Sequence, residues 1–157
     1  MNRFADYFSN YVNDDTITYI GNGDITSFTV SRQDRELAVG LNLESFIDYS
    51  IIENSQNQIA RAMELKKVHI NPRFPKSEFS LDNIERILEY VRHESPAANG
   101  FFDGCEAELE DRTLTLCLKK GGKDVLESQK VDRAIANKIY ELFDLDFVVI
   151  FLEVQAF

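Results

Sequence analysis

Three short stretches carry residue types that could do chemistry. Asp144-Leu145-Asp146 is a D-x-D pair at a helix-to-strand junction. Two carboxylates beside a strand can hold divalent cations for phosphoryl chemistry. No third carboxylate takes a matching position, and the pattern has no fixed context, so it reads as a solvated loop closing a helix. Lys119-Lys120-Gly121-Gly122-Lys123-Asp124 joins a strand to a helix start, where glycine-rich backbone can cradle an anion. It has neither P-loop spacing nor the G-x-x-G that clamps a nucleic-acid backbone. It reads as a solvated turn, yet it is the best local patch for an anion or an acidic partner. Gly100-Phe101-Phe102-Asp103-Gly104 sets two aromatics between glycines. They are either an exposed partner anchor or core filler, in a chain with twelve Phe and no Trp.

The remaining reactive side chains are scattered. His69 falls on the polar face of a short strand, and His93 near a helix end where a cation suits the dipole. Cys105 and Cys117 are expected on opposite faces of a hairpin, which argues against both a zinc site and a disulfide. Nucleophile elbows, C-x-x-C, H-E-x-x-H and dinucleotide-binding glycine patterns are all missing. The expectation is therefore no catalytic residue, no metal and no cofactor.

The elements that must position these residues follow from periodicity. Phe4, Tyr7, Phe8 and Tyr11 share one helix face, and Thr16–Ile20 runs into the turn signal Gly21-Asn22-Gly23. Ile25–Ser31 and Glu36–Leu43 form a hairpin around Arg32-Gln33-Asp34-Arg35, with Leu37, Val39, Leu41 and Leu43 on its buried side. Glu44–Leu65 is helical but interrupted near Glu53-Asn54-Ser55, with Ile59, Ala60 and Met63 as a stripe in its second half. Lys67–Asn71 is a strand that Pro72 and Pro75 end. Ser80 caps a helix striped by Ile84, Ile87, Leu88 and Val91, which Ser95-Pro96 stops.

Cys105–Leu109 and Thr113–Leu118 pair as a hairpin. Its wet face carries Glu106, Glu108 and Glu110 with Thr113, Thr115 and Cys117; its core face carries Cys105, Ala107 and Leu109 with Leu114, Leu116 and Leu118. Asp124 and Glu127 have capping-box spacing ahead of a helix striped by Val131, Ile135, Ile139, Leu142 and Phe143. Phe147–Leu152 is apolar on both faces, as in a strand of a sheet interior or under helices.

Composition sets the outer bounds. With 157 residues, 44% apolar and 28% charged, the chain is a globular protein of one domain or two small ones. No apolar run is long enough to span a bilayer, and the start lacks a signal-peptide profile, so a cytoplasmic protein is expected. The formal net charge of −10 works against contact with duplex DNA, whose binding draws on Lys and Arg. All eight lysines lie at or after Lys66. That shift suggests two touching α+β modules, 1–65 and 66–157, without an internal repeat. From residue 67 the order β-α-β-β-α-β describes a split sheet with helices on one face, about the size of a KH-like or ferredoxin-like unit.

The order of elements also resembles a family. Ile25–Ser31 with Glu36–Leu43, Gln58–Met63 leading into Lys67–Ile70, and Ser80–Arg92 match the N-terminal region of Gram-positive-type DNA polymerase III α subunits (PolC). Thr113–Leu118, the segment from Asp124 to Phe143, and Phe147–Leu152 complete the match. The resemblance covers nearly the whole chain as a pattern of elements, without a signature motif. It implies a non-catalytic region whose second half resembles the KH-like α-binding domain of the clamp-loader τ subunit. The polymerase and the 3'-5' exonuclease of such a protein lie further along, so no catalytic residue carries over. Where the family pattern has Gly after the last helix, this chain has Asp144.

The resulting expectation is a monomeric, cytoplasmic protein–protein interaction module that recruits replisome partners, clamp-loader or primosome components, without membrane contact. Its partner surfaces would be of opposite sign: Glu106, Glu108 and Glu110 on the hairpin, and Lys119, Lys120 and Lys123 in the loop, with Phe101 and Phe102 nearby. The alternative is a KH-like module that binds single-stranded nucleic acid through Lys66, Lys67, Lys119, Lys120 and Lys123.

Overall fold

The computed structural model describes residues 2–98 and 100–153. The chain is α+β and divides into two compact units, Met1–Glu78 and Phe79–Phe157. The expected boundary at Leu65-Lys66 is corrected by strand pairing. The strand after Lys66 belongs to the first sheet, so the onset of lysines does not coincide with a change of core. No described helix is long and apolar enough to cross a membrane.

In the first unit, α1 (Phe4–Phe8) and α2 (Asp14–Ile20) precede a hairpin of β1 (Asp24–Ser31) and β2 (Glu36–Asn42). Then α3 (Tyr49–Ala62) crosses over to β3 (Lys67–Arg73), which runs parallel to β2 with Leu37 beside Val68 and Val39 beside Ile70. Leu37, Val39, Leu41 and Leu43 are buried as their alternation requires, together with Phe4, Phe8, Ile20, Ile52 and Ile59. Periodicity does not announce α2; Asn13 starts it by accepting a hydrogen bond from the Thr16 amide at 2.9 Å.

Two expectations are corrected here. The helix α3 passes unbroken through Glu53-Asn54-Ser55, because the Ser55 hydroxyl donates to the Ile51 carbonyl at 2.6 Å inside the helix. Pro72 does not end β3 but lies within it, because β3 is an edge strand that needs no outward donor there. Two residues earlier along the strand, the Ile70 amide donates to the Gln56 side chain at 2.9 Å.

In the second unit, Ser80 caps a short 3₁₀ turn that leads into α4 (Ile84–Arg92). The hairpin of β4 (Glu106–Glu110) and β5 (Thr113–Leu118) follows, then α5 (Lys123–Ser128), α6 (Val131–Phe143) and β6 (Val148–Glu153). The sheet order is β4-β5-β6, with the hairpin antiparallel and β6 parallel to β5. The stripes Ile84, Ile87, Leu88, Val91 and Val131, Ile135, Ile139, Leu142, Phe143 are buried with Leu114, Leu116, Leu118, Val149 and Phe151.

Three further differences follow. The unit has no leading strand, so the expected β-α-β-β-α-β order is instead α-β-β-α-α-β, since β3 pairs elsewhere. The expected single helix after Asp124 breaks in two at Lys130, which adopts a left-handed backbone (φ 58°). β6 is an edge strand rather than an interior one, and α6 covers only the face that carries Val149 and Phe151. Both units share one plan: helix, antiparallel hairpin, crossover helix, parallel third strand. Leu37, Val39 and Leu41 occupy in one sheet the places of Leu114, Leu116 and Leu118 in the other. The repeat is of architecture; the sequence pattern carries no repeat.

Candidate functional site

The outer face of the sheet β4-β5-β6 assembles the residues of interest into three rows. The register sets Glu106 opposite Cys117, Glu108 opposite Thr115 and Glu110 opposite Thr113. It sets Thr113 beside Val148, Thr115 beside Ile150 and Cys117 beside Leu152. Since alternate residues of a strand share a face, the face reads as an acidic row, a row of short side chains and an apolar row. The wet face expected for the hairpin is the face observed; of the expected core face, Leu114, Leu116 and Leu118 are buried, but Leu109 is exposed at the sheet edge and Cys105 precedes the strand. The apolar row is new: Val148, Ile150 and Leu152 are 61%, 41% and 48% exposed. Isolated apolar residues on a surface are ordinary, but three in register on an edge strand make a continuous stripe.

The lysine loop sits at one end of this face, and its charges are already engaged. Lys119 pairs with Glu106 at 3.0 Å and Lys120 with Asp103 at 3.3 Å. The Lys123 ammonium lies 4.0 Å from Glu127. The amide of Lys123, at the start of α5, donates to the Glu153 carboxylate at 2.8 Å. The chain's own carboxylate therefore holds the place where a bound anion would sit. The two expected partner surfaces of opposite sign meet at the Glu106–Lys119 pair. Glu108 and Glu110 have no ion pair among the described residues, so the uncompensated charge of the face is acidic. Of the lysines named for the nucleic-acid alternative, Lys119, Lys120 and Lys123 lie in this unit beside carboxylates, and Lys66 and Lys67 lie in the first unit.

The aromatic pair divides its roles. Phe102 is buried, its ring centroid 6.1 Å from that of Phe151, so it is a core residue and not a partner anchor. Phe101 is half-buried and lies over Gly122, where a Cβ would come within 2.1 Å of the ring. Gly122 is also left-handed (φ 92°), so both its backbone and its neighbour require glycine. Asp103, between Lys120 and the Arg92 guanidinium at 3.9 Å, ties this loop to α4.

Cys117 sits half-exposed in the middle row, while Cys105 precedes β4; both thiols are free. Burial pushes the Cys105 thiol above its ordinary value, and the nearby Glu85 carboxylate adds to the effect. Asp144 caps α6 in a left-handed conformation (φ 57°), a backbone region that favours glycine. Among the described residues no group of three His, Cys, Asp or Glu side chains could hold a metal ion.

Sequence reasoning missed two features. The stripe Val148, Ile150, Leu152 lies in a run that is apolar on both faces, so the sequence does not show which face stays exposed. Lys138, inside the apolar stripe of α6, is buried and donates to Glu94 at 2.6 Å and Glu141 at 2.9 Å. A lysine between Ile135 and Leu142, with Glu141 three residues on, was the available signal. Comparison with protein-family models, with curated proteins and with solved structures gives no match.

Proposed function

We propose that this chain is the non-catalytic N-terminal interaction module of a replicative DNA polymerase III α subunit of the PolC type. It acts in the cytoplasm, in DNA replication, by recruiting replisome proteins of the clamp-loader or primosome class. The full-length protein would be a DNA-directed DNA polymerase with 3'-5' exonuclease activity, both residing outside these residues. The element order on which the resemblance rests supports this reading: the β1-β2 hairpin, α3 leading into β3, α4, and then β5 through β6.

One observation carries it. The outer face of β4-β5-β6 is in register and pairs an acidic row with an exposed apolar row. Such a face suits a macromolecular partner: apolar area drives association, and unpaired rim charge steers it. Duplex DNA does not fit, because the free charge there is negative.

The test is a pull-down with purified clamp-loader and primosome proteins. Wild-type protein is expected to retain one of them. The variant Glu106→Lys/Glu108→Lys/Glu110→Lys is expected to lose it, and Lys119→Glu/Lys120→Glu/Lys123→Glu to weaken it less, because those lysines are already paired. Retention of no replisome protein by folded wild-type chain rejects the reading.

A further inference from the structure

The acidic, short and apolar rows have dimensions that select among possible occupants. Neighbouring strands lie about 4.8 Å apart, so the Glu row and the Val148-Ile150-Leu152 row are separated by roughly 9.6 Å. That is close to the roughly 10 Å diameter of an α-helix with its side chains. The middle row, Thr113, Thr115 and Cys117, is shorter than the glutamates on one side and than Ile150 and Leu152 on the other, so most of the face is a shallow trough along the strands. Same-face residues on a strand recur about every 6.7 Å, so three rungs cover roughly 13 Å, within the reach of three turns of helix.

Other occupants fit less well. A peptide strand added at the edge of β6 would lie next to the apolar row but three strand spacings, roughly 14 Å, from the glutamates, leaving them unused. A second copy packed face to face would bring a second set of three glutamates into the same contact, burying carboxylates without cations. The groups the face lacks are an apolar flank and a cationic flank side by side.

We propose that the outer face of β4-β5-β6 docks an amphipathic α-helix of a partner protein, with one flank apolar against Val148, Ile150 and Leu152 and the adjoining flank Lys/Arg-rich against Glu108 and Glu110, beside the Glu106–Lys119 pair. The inference rests on the reading of this face as a docking surface and adds the chemistry of what it takes. Apolar burial supplies the affinity; the glutamates orient the helix and make association salt-dependent. Lys119 guards one end, where its pair with Glu106 leaves Glu108 and Glu110 as the free acceptors.

Cys117 lies at the floor of the trough and reports occupancy directly. In a Cys105→Ser background, alkylation of Cys117 is followed with two synthetic helical peptides. One carries Leu at i, i+4, i+7 and i+11 with Lys at i+1, i+5, i+8 and i+12; the other replaces each Lys by Glu. At peptide concentrations near ten times Kd, the Lys peptide is expected to slow alkylation roughly tenfold by mass action, with weaker protection at high salt. The Glu peptide is expected to give none. The variant Glu106→Lys/Glu108→Lys/Glu110→Lys is expected to reverse this preference and be protected by the Glu peptide, a gain that misfolding cannot mimic. An unchanged alkylation rate with the Lys peptide overturns the proposal, as does equal protection of wild type and the charge-reversed variant. A replisome protein captured equally by both would sink the helix site while leaving the recruiting function standing. Peptide protection without any replisome capture would do the reverse.

Discussion

Lys138 and Glu106 illustrate how differently two charged side chains behave in one small unit. Glu106 is exposed, and its pair with Lys119 is a surface contact worth a few tenths of a kcal/mol. Lys138 is buried, with its ammonium held by two carboxylates. Burial pulls its pKa down, but the hydrogen bonds and charges of Glu94 and Glu141 outweigh this and the net shift is upward. A base whose folded pKa is raised contributes stability below its unfolded value, and that contribution is lost as pH rises through the folded value. The window is therefore alkaline, above the ordinary lysine value of 10.5. Lys138→Ala is expected to cost about 2 kcal/mol, from lost stem packing and two charged hydrogen bonds. Lys138→Met keeps the stem and should cost less than about 1 kcal/mol, because both glutamates remain solvated. Urea midpoints at neutral and at strongly alkaline pH check this: the wild type loses its advantage over Lys138→Met in alkali. Nothing in the α6 stripe pattern distinguishes a lysine inside it from a gap in it, so this contact was only half legible.

Element boundaries show where local signals compete. The polar run Glu53-Asn54-Ser55 suggests an interruption, but the Ser55 hydroxyl bonds back to the Ile51 carbonyl within α3 and the helix continues. The opposite happens at Lys130. Asp124 and Glu127 look like the opening of one long helix, but Gly122 and Lys130 are both left-handed and the segment splits into α5 and α6. The Glu153 carboxylate, thirty residues away, takes the amide at the head of α5. A non-glycine residue in that conformation is strained by about 1 kcal/mol. Lys130→Gly is accordingly expected to stabilise the protein by about 0.5–1 kcal/mol, read as a rise in the urea midpoint. A fall would show that Lys130 does not hold the left-handed turn. The edge strands β3 and β6 differ in kind as well. β3 carries Pro72 and has its Ile70 amide capped by Gln56, whereas β6 is uncharged from Val148 to Leu152.

On the scale of the whole molecule, the charge distribution misplaced the division between units. Lysines begin at Lys66, but Lys67–Arg73 completes the first sheet beside β2. A fragment ending at Glu78 is expected to melt cooperatively with native-like circular dichroism. One ending at Leu65 is not, since it strips the strand that covers one side of Leu37, Val39 and Leu41. The shared α-β-β-α-β plan went unseen because each unit fills equivalent places with different residues, and packing asks only for apolar volume at the right period.

By itself the sequence determined which side chains share a face. Alternation in Glu106–Glu110 and Thr113–Leu118, and helical spacing from Val131 to Phe143, follow from backbone geometry that no tertiary context alters. Tertiary structure alone decided which faces stay open and which strands lie at an edge. Those outcomes depend on pairings between residues far apart in the chain, such as Thr115 with Ile150 and Leu37 with Val68. Local periodicity records that one side of a strand is apolar; only the assembled sheet determines whether anything covers it.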